Sequence, residues 1–297
     1  MDKIINYNIN SAEKLKWDPS WFGCSDFNSQ LVDAIVEFQY DHGLNADGMC
    51  GTGTFRVKFA ERSEDLEDED KDKTYSDYIV CSGNAVSIDW KKVVLWRDQG
   101  GLSLEPGDYK PQAEPRDIKK FIVHWDVCKT SRQCYKALKN RNLSVHFLID
   151  NDGTIYQLGD TNNICWHASP VNYESVGVEI SNAWYLKYQD WYVEKGFGER
   201  PIVEESIVRG RRVEKALGFY PEQISALKAL TKALHEGLGI PLETPRNITG
   251  SEYTDTLTKP ARKSFTGVLH HYHVASNKID CAGLNLVDLI EEIKNGN

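Results

Sequence analysis

The stretch "KKFIVHWD", residues 119–126, decides the fold. Phe121, Ile122 and Val123 form a compact apolar run that follows two lysines and gives way to His124, Trp125 and Asp126. The run is short and continuous, without the three-to-four-residue spacing of a helix face, so it reads as a buried strand ending in polar groups. A strand end is where a rigid scaffold hands side chains to a cleft. His124 is therefore a candidate functional residue, although a lone histidine at a strand end is more often a hydrogen-bonded structural group.

Outward from this strand, extended and helical patterns alternate. "SRQCYKALKNR" (131–141) reads as a helix, with Cys134, Leu138 and Tyr135 as its inward candidates. "SVHFLIDNDGTIYQL" (144–158) reads as a hairpin, because two β-rich runs flank Asn151-Asp152-Gly153 and Gly153 suits a positive φ. "SVGVEIS" (175–181) is a further strand. "PEQISALKALTKALHEGLG" (221–239) is a long helix opened by Pro221 and closed by Gly237 or Gly239. "TGVLHHYH" (266–273) reads as a last strand and "LNLVDLIEEIKN" (284–295) as a last helix. Residues 75–115 say less: "YIVCSG" (78–83) suits a strand and "EPGDYKPQAEP" (105–115) a turn-rich loop. The alternation indicates a mixed α/β domain over residues 78–297.

Upstream lies "ERSEDLEDEDKDK" (61–73), strongly acidic with Leu66 as its single apolar side chain. It cannot bury enough to fold, so residues 63–77 read as a solvated linker. The linker sets off a first module, residues 1–62. There "NSQLVDAIVEFQYDHGLNADGMCGTGT" (28–54) begins as an amphipathic helix with Leu31, Ile35, Phe38 and Val32 on one face, stopped by Gly43. Tight turns at Asp47-Gly48 and Gly51 precede Thr54. This module offers no catalytic set. Its Phe38-Gln39, Gly43-Leu44, Asp47-Gly48, Gly51 and Thr54 resemble the signature of the peptidoglycan-binding module, and a small helical wall-binding domain is what that resemblance implies.

Composition narrows the function classes. At 297 residues with a net charge of −9, the chain has no global basic field for nucleic acid or anionic membranes. No apolar run approaches the ~18 residues of a membrane span, and "MDKIINYNINSAEK" (1–14) lacks the apolar core of a secretory signal. The seven cysteines are odd in number, scattered and without a CxxC pair, so they read as thiols.

Chemistry concentrates in "GVLHHYHVASNKIDCAG" (267–283), which carries His270, His271, His273, Lys278, Asp280 and Cys281. If the strand ran to residue 273, His271 and His273 would share a face and His270 would look away. Imidazole with thiolate or carboxylate suits zinc, and a catalytic site keeps three protein ligands and one open position.

The segments "FIVHWD", "LSVHFLIDNDGTIYQLGD", "CWHAS", "NYESVGVEIS" and "HHYHVASNKIDCAG" together resemble the zinc-dependent N-acetylmuramoyl-L-alanine amidases, a family related to peptidoglycan recognition proteins and phage lysins. The resemblance covers about 160 residues. It implies a central mixed β-sheet flanked by helices, with a zinc ion in a surface groove. Carried over position by position, it makes His124 the first ligand, His271 the second (with Val274 three residues on) and Cys281 the third. His273 stands as an alternative to His271, and Asp280 as an alternative to Cys281. Glu179, in "SVGVE", corresponds to the general base of some relatives, while the tyrosine other relatives place before the hairpin histidine is here Val145. Lys278 corresponds to a lysine that stabilises the oxyanion, one residue away from the family's commonest spacing. His146, His167 and Trp166 are expected at the substrate. Trp125, Trp166 and Tyr173 could stack on sugar faces.

The function implied is cleavage of the amide between N-acetylmuramic acid and L-alanine of peptidoglycan, through a water activated by zinc. A monomeric phage or prophage endolysin is expected, held in the host cytoplasm until lysis and then acting on the wall, with no nucleic-acid partner and no membrane insertion. The alternatives are a non-catalytic peptidoglycan-recognition protein and a cytosolic amidase recycling anhydro-muropeptides.

Overall fold

The computed structural model describes residues 2–62 and 72–296. Most of the expected acidic linker, residues 63–71, lies outside the described residues. The chain divides into two compact units, residues 1–68 with 135–142 and residues 69–134 with 143–297.

Residues 2–62 of the first unit form three helices: α1 (Asp2–Leu15), α2 (Ser29–Asp41) and α3 (Thr52–Arg62). α2 starts where the Asn28 side chain accepts the Leu31 N–H at 3.1 Å, and it buries Leu31, Val32, Ile35 and Phe38 as the spacing predicts. The glycine-rich segment after it is held by one side chain. The buried Gln39 amide donates to Asp47 Oδ1 at 3.1 Å, Met49 O at 3.0 Å and Thr54 Oγ1 at 3.0 Å, and accepts the Gly48 N–H at 2.8 Å. Gly48 has φ +72, and a Cβ there would sit 2.7 Å from the Val32 side chain. The Phe-Gln, Asp-Gly and Thr positions of the motif are thus the parts of one hydrogen-bonded turn. α1 was not legible in the sequence; its Asn8 donates to Gly48 O and accepts the Cys50 N–H.

The second unit begins with a hairpin, β1 (Tyr78–Cys81) and β2 (Asn84–Ser87), then β3 (Val93–Leu95) and β4 (Tyr109–Lys110). Next come β5 (Lys120–Trp125), α4 (Ser131–Asn140, whose residues from Tyr135 on count with the first unit), the hairpin β6 (Phe147–Ile149) and β7 (Ile155–Gln157), β8 (Ile164–Cys165) and β9 (Ser175–Ile180). An excursion carries α5 (Gln189–Glu194) and the short strands β10 (Ile202–Val203), β11 (Ser206–Val208), β12 (Arg211–Val213) and β13 (Ala216–Leu217). The chain closes with α6 (Pro221–Leu238), α7 (Lys259–Ser264), β14 (Gly267–His270), α8 (His271–Val274) and α9 (Leu286–Lys294). α6 ends at Gly239, which takes φ +69, and not at Gly237.

Six strands form the central sheet in the order β14-β5-β9-β6-β7-β3. β14, β5, β9 and β6 run parallel, β7 pairs antiparallel with β6, and β3 runs parallel to β7. The sheet is therefore mixed, flanked by helices as expected. Side-chain alternation divides its faces. Phe121, Val123, Trp125, Val176, Val178, Ile180 and Val268 enter a core with Leu227, Leu230 and Leu234 of α6 and Leu286, Leu289 and Ile290 of α9. On the other face Ile122 and Leu269 cluster with Ala168, Val171 and Val274, with Leu257 and Phe265 beside them. That cluster is smaller than the core on the first face.

The excursion is pinned by a buried cation. Arg200 is stacked between Tyr192 and Tyr220, 4.2 Å and 4.4 Å from their ring centroids, and donates to Gly218 O and Ser181 O at 2.8 Å each. The expected last strand is shorter than its apolar pattern implied. It stops at His270, and residues 271–274 form a helical turn, so the alternation expected for His271 and His273 does not apply. All seven cysteines are free thiols. Among the described residues no helix is long and apolar enough to cross a membrane.

Candidate metal centre

His124 leaves the end of β5 on the face of the sheet that carries the smaller cluster. β9 runs parallel beside it, with Glu179 paired in register with His124. On the other flank β14 ends at His270, and the turn into α8 carries His271 over the same strand end.

Three lone-pair donors converge there. Nδ1 of His124 and Nδ1 of His271 are 2.9 Å apart, and Oδ2 of Asp280 lies 3.2 Å from the first and 2.8 Å from the second. The three donor atoms lie within 4.8 Å of one another. Two neutral imidazoles that aim lone pairs at each other repel unless a proton or cation lies between them, and the carboxylate adds negative charge at the same point. Two imidazole nitrogens and one carboxylate oxygen are donors that a zinc ion accepts.

The second nitrogen of His124 is also engaged. Its Nε2 is 3.1 Å from Nδ1 of His167, whose Nε2 is 3.4 Å from the Ser175 hydroxyl. The tautomer that frees Nδ1 of His124 is the one in which its Nε2–H donates to His167, and His167 in turn donates to Ser175. His167 can lie flat on β9 because residue 177 is glycine: a Cβ there would be 2.5 Å from Nδ1 of His167.

Burial, reinforced by His271, pushes the His124 imidazole down to about 4, against the pull of Asp280. Burial likewise holds His167 well below the ordinary histidine range, with His124 adding to it. Burial alone would raise Asp280, but the charge of His271 and hydrogen bonds from His124 and His271 hold it well below the usual carboxylate range. The site thus favours a neutral His124 and an ionised Asp280, the protonation states a cation needs from those two ligands.

The structure brings Asp280, and not the expected Cys281, to the two imidazoles. Cys281 is fully buried in the apolar core with Tyr272, Leu284 and Leu286 and is not part of the donor group. Burial raises its thiol well above the ordinary value, which disfavours the thiolate that a metal requires. Asp280 and Cys281 are neighbours in a turn, which presents Asp280 to the cluster and Cys281 to the core. Lys278 is half-buried, and its ammonium adds to the depression of His124. Arg209, at the tip of the β11–β12 hairpin, holds the Lys278 carbonyl at 2.6 Å.

The remaining expected residues separate. Both nitrogens of His146 are committed inside the protein: Nδ1 accepts the Gly177 N–H at 3.1 Å and Nε2 lies 2.9 Å from Asn163 O. It is fully buried, and burial with the neighbouring Arg116 pushes it down to about 3. The expected substrate contact of His146 is therefore replaced by a structural role. His273 accepts the His270 N–H at 3.1 Å and donates to Tyr253 O, and His270 pairs with Glu252 at 2.9 Å, so neither reaches the cluster. Trp125 is in the core against Trp184. Trp166 is half-buried and meets the exposed Tyr173 edge-on at 6.2 Å.

A second group of donor residues, Asp126, Cys128 and Cys134, is wholly buried. The Asp126 carboxylate already accepts from the Cys128 N–H, the Asn182 N–H and the Ser181 hydroxyl. Those bonds close the corner after β5.

A model of the family described as N-acetylmuramoyl-L-alanine amidase matches residues 114–283, and one described as putative peptidoglycan binding domain matches residues 24–57. No curated protein matches the chain. Solved structures similar to it include the endolysin N-acetylmuramoyl-L-alanine amidase LysCS from Clostridium intestinale, at 16% identity and a TM-score of 0.38, covering 65% of this chain and 94% of that one. AmpDh3 from Pseudomonas aeruginosa, in complex with anhydromuramic pentapeptide, is 18% identical with a TM-score of 0.38, covering 64% of this chain and 66% of that one. The Ph2119 endolysin of a Thermus scotoductus bacteriophage is 13% identical with a TM-score of 0.35, covering 63% of this chain and 91% of that one.

Proposed function

The chain belongs to the N-acetylmuramoyl-L-alanine amidase family and hydrolyses the amide between N-acetylmuramic acid and L-alanine of peptidoglycan; from that premise we propose that it does so with a zinc ion held by His124, His271 and Asp280. The observation that carries this ligand set is the convergence of three lone-pair donors at one strand end, with Glu179 in register on the next strand.

Zinc bound there would supply Lewis acidity toward the scissile carbonyl and a lowered pKa for a water. Glu179 takes the proton of the attacking water and passes it to the amide nitrogen, so that a neutral amine departs. The Lys278 ammonium faces the negative charge that develops on the carbonyl oxygen, a contribution of ~3 kcal/mol when the donor is well placed. His167 keeps His124 in the tautomer and orientation that present Nδ1. Trp166 offers a half-buried ring beside the site to the sugar.

The first unit serves as the wall anchor, raising the concentration of enzyme at its insoluble substrate. The support is the peptidoglycan-binding match over residues 24–57. An anchor joined to an amidase is what a phage or prophage endolysin needs, and we read the chain as one. The test is the appearance of new L-alanine amino termini in purified sacculi treated with the intact chain and with Glu179→Ala. Release by the wild type and its loss in the variant support the reading; equal release by both overturns the role of Glu179.

A further inference from the structure

A cleft of about 500 Å3 opens between the segment after His167 and α7. Pro170, Val171 and Pro260 give it an apolar lining, and Lys259, Arg262 and Lys263 surround that lining with positive charge. Its one acidic wall residue, Glu174, is taken up by the buried Lys120 at 2.7 Å. Lys259 and Lys263 are exposed and carry no ion pair among the described residues.

Both walls are tied to the metal centre. Pro170 and Val171 follow His167 on one segment, and the Val171 side chain packs with Ile122 and Leu269 on the same sheet face as His124. On the opposite wall, Arg262 Nη1 donates to Val274 O at 2.7 Å, at the end of the turn that carries His271. The cleft therefore continues the face on which the scissile bond must lie.

We propose that this cleft is a subsite for a free carboxylate of the substrate's stem peptide, recognised by Lys259 and Lys263, with Pro170, Val171 and Pro260 seating the adjoining aliphatic side chain. The inference rests on the amidase reading for the identity of the peptide. Charge complementarity selects an anion, and the apolar lining selects one attached to a small hydrocarbon group rather than a bare phosphate. The three cations lie within one helical turn, spanning about 6 Å along the axis. That length suits one or two carboxylates; an extended phosphate polymer would call for a longer basic track. Arg262 holds the turn through its bond to Val274 O, and the two lysines are the recognising groups.

The test uses the full chain, the Lys259→Gln/Lys263→Gln double variant and the charge-reversed Lys259→Glu/Lys263→Glu. Each is assayed on a soluble muropeptide with free carboxylates and on the same compound with those carboxylates amidated. Binding of the stem peptide alone is followed by calorimetry. The neutral double variant should raise KM for the acidic muropeptide roughly fivefold and weaken the free peptide to a similar extent. The charge-reversed variant should raise KM further, and the amidated compound should respond less than twofold. The difference should fade as salt is raised. An unchanged KM for the acidic muropeptide, or an equal rise for the amidated one, overturns the proposal. So does a loss confined to sacculi that carry phosphate polymers, which would assign the cations to that anion. If the wild type cleaves nothing, the amidase reading fails, while calorimetry with the free peptide still decides the subsite.

Discussion

The two faces of the central sheet are made by the same strands and serve different ends. From β5, Phe121, Val123 and Trp125 go into the core beneath α6 and α9, while Ile122 enters a smaller cluster and His124 meets His271 and Asp280. From β9, Val176, Val178 and Ile180 take the core side, which leaves Gly177 and Glu179 for the other. A period of two lets each strand contribute stability and chemistry without compromise between them. It follows that substitutions one residue apart should fail in different ways.

The widest separation is expected at Glu179. Glu179→Gln should lower turnover by about 10^2–10^4-fold, the usual worth of a general base, while the denaturation midpoint moves little. Wild-type turnover in that variant would remove the catalytic face from the comparison. On the packed side, Leu230→Ala should cost about 2–5 kcal/mol in chemical denaturation, with turnover per folded molecule unchanged. A lowered turnover in fully folded Leu230→Ala would mean that the faces are not independent.

Gly177→Ala sharpens the contrast, because it adds one methyl to the site face of a strand whose other face is core. The new Cβ displaces the His167 ring, and with it the partner of His124. Metal affinity should fall about 10–100-fold, as for other losses of a partner behind a ligand histidine. Metal titration that gives the wild-type affinity would count against His167 as the group that orients His124.

The smallest expected effect is on pH dependence. Burial pushes His146 and His273 down to about 3, well below the ~6.5 of an unfolded chain. Between those values the folded state binds fewer protons than the unfolded one, so stability is lost as pH falls from about 6.5 toward 3. Each histidine contributes a slope of up to ~1.4 kcal/mol per pH unit. Asp126 and Asp150, pushed up by burial to about 7 and about 6, act in the opposite sense over an overlapping range and reduce the net slope. His146→Asn should flatten the acid limb of a stability profile by one histidine's share; an unchanged slope would show that His146 is not held neutral.

Continuous apolar runs and turn glycines carried most of the fold. β5, β9, the β6–β7 hairpin, α6 and α9 were legible because their burial is apolar and periodic. α1 was not, since its buried residues are Asn8, Ser11, Ala12 and Leu15, which draw no apolar stripe. The 182–220 excursion was hidden for a related reason: its anchor is Arg200, a residue whose sequence signature is that of the surface. At the site, His124 could be found from its place at a strand end. His271 was selected by Val274 through the family resemblance, although the structure carries it on a helical turn where a strand was expected. The choice between Asp280 and Cys281 could not be made from the chain alone, because neighbouring donors of equal chemical merit differ only in the side of the backbone they take. In the proposed ligand set packing makes that choice, since Cys281 lies in the core and Asp280 beside the two histidines.

The most direct test is the metal content of the purified chain beside Asp280→Asn and Cys281→Ser, each checked for folding. A stoichiometric zinc ion in the wild type and in Cys281→Ser, with a large loss in Asp280→Asn, is the predicted result. Full loading of Asp280→Asn, or loss of zinc from a folded Cys281→Ser, would contradict the account.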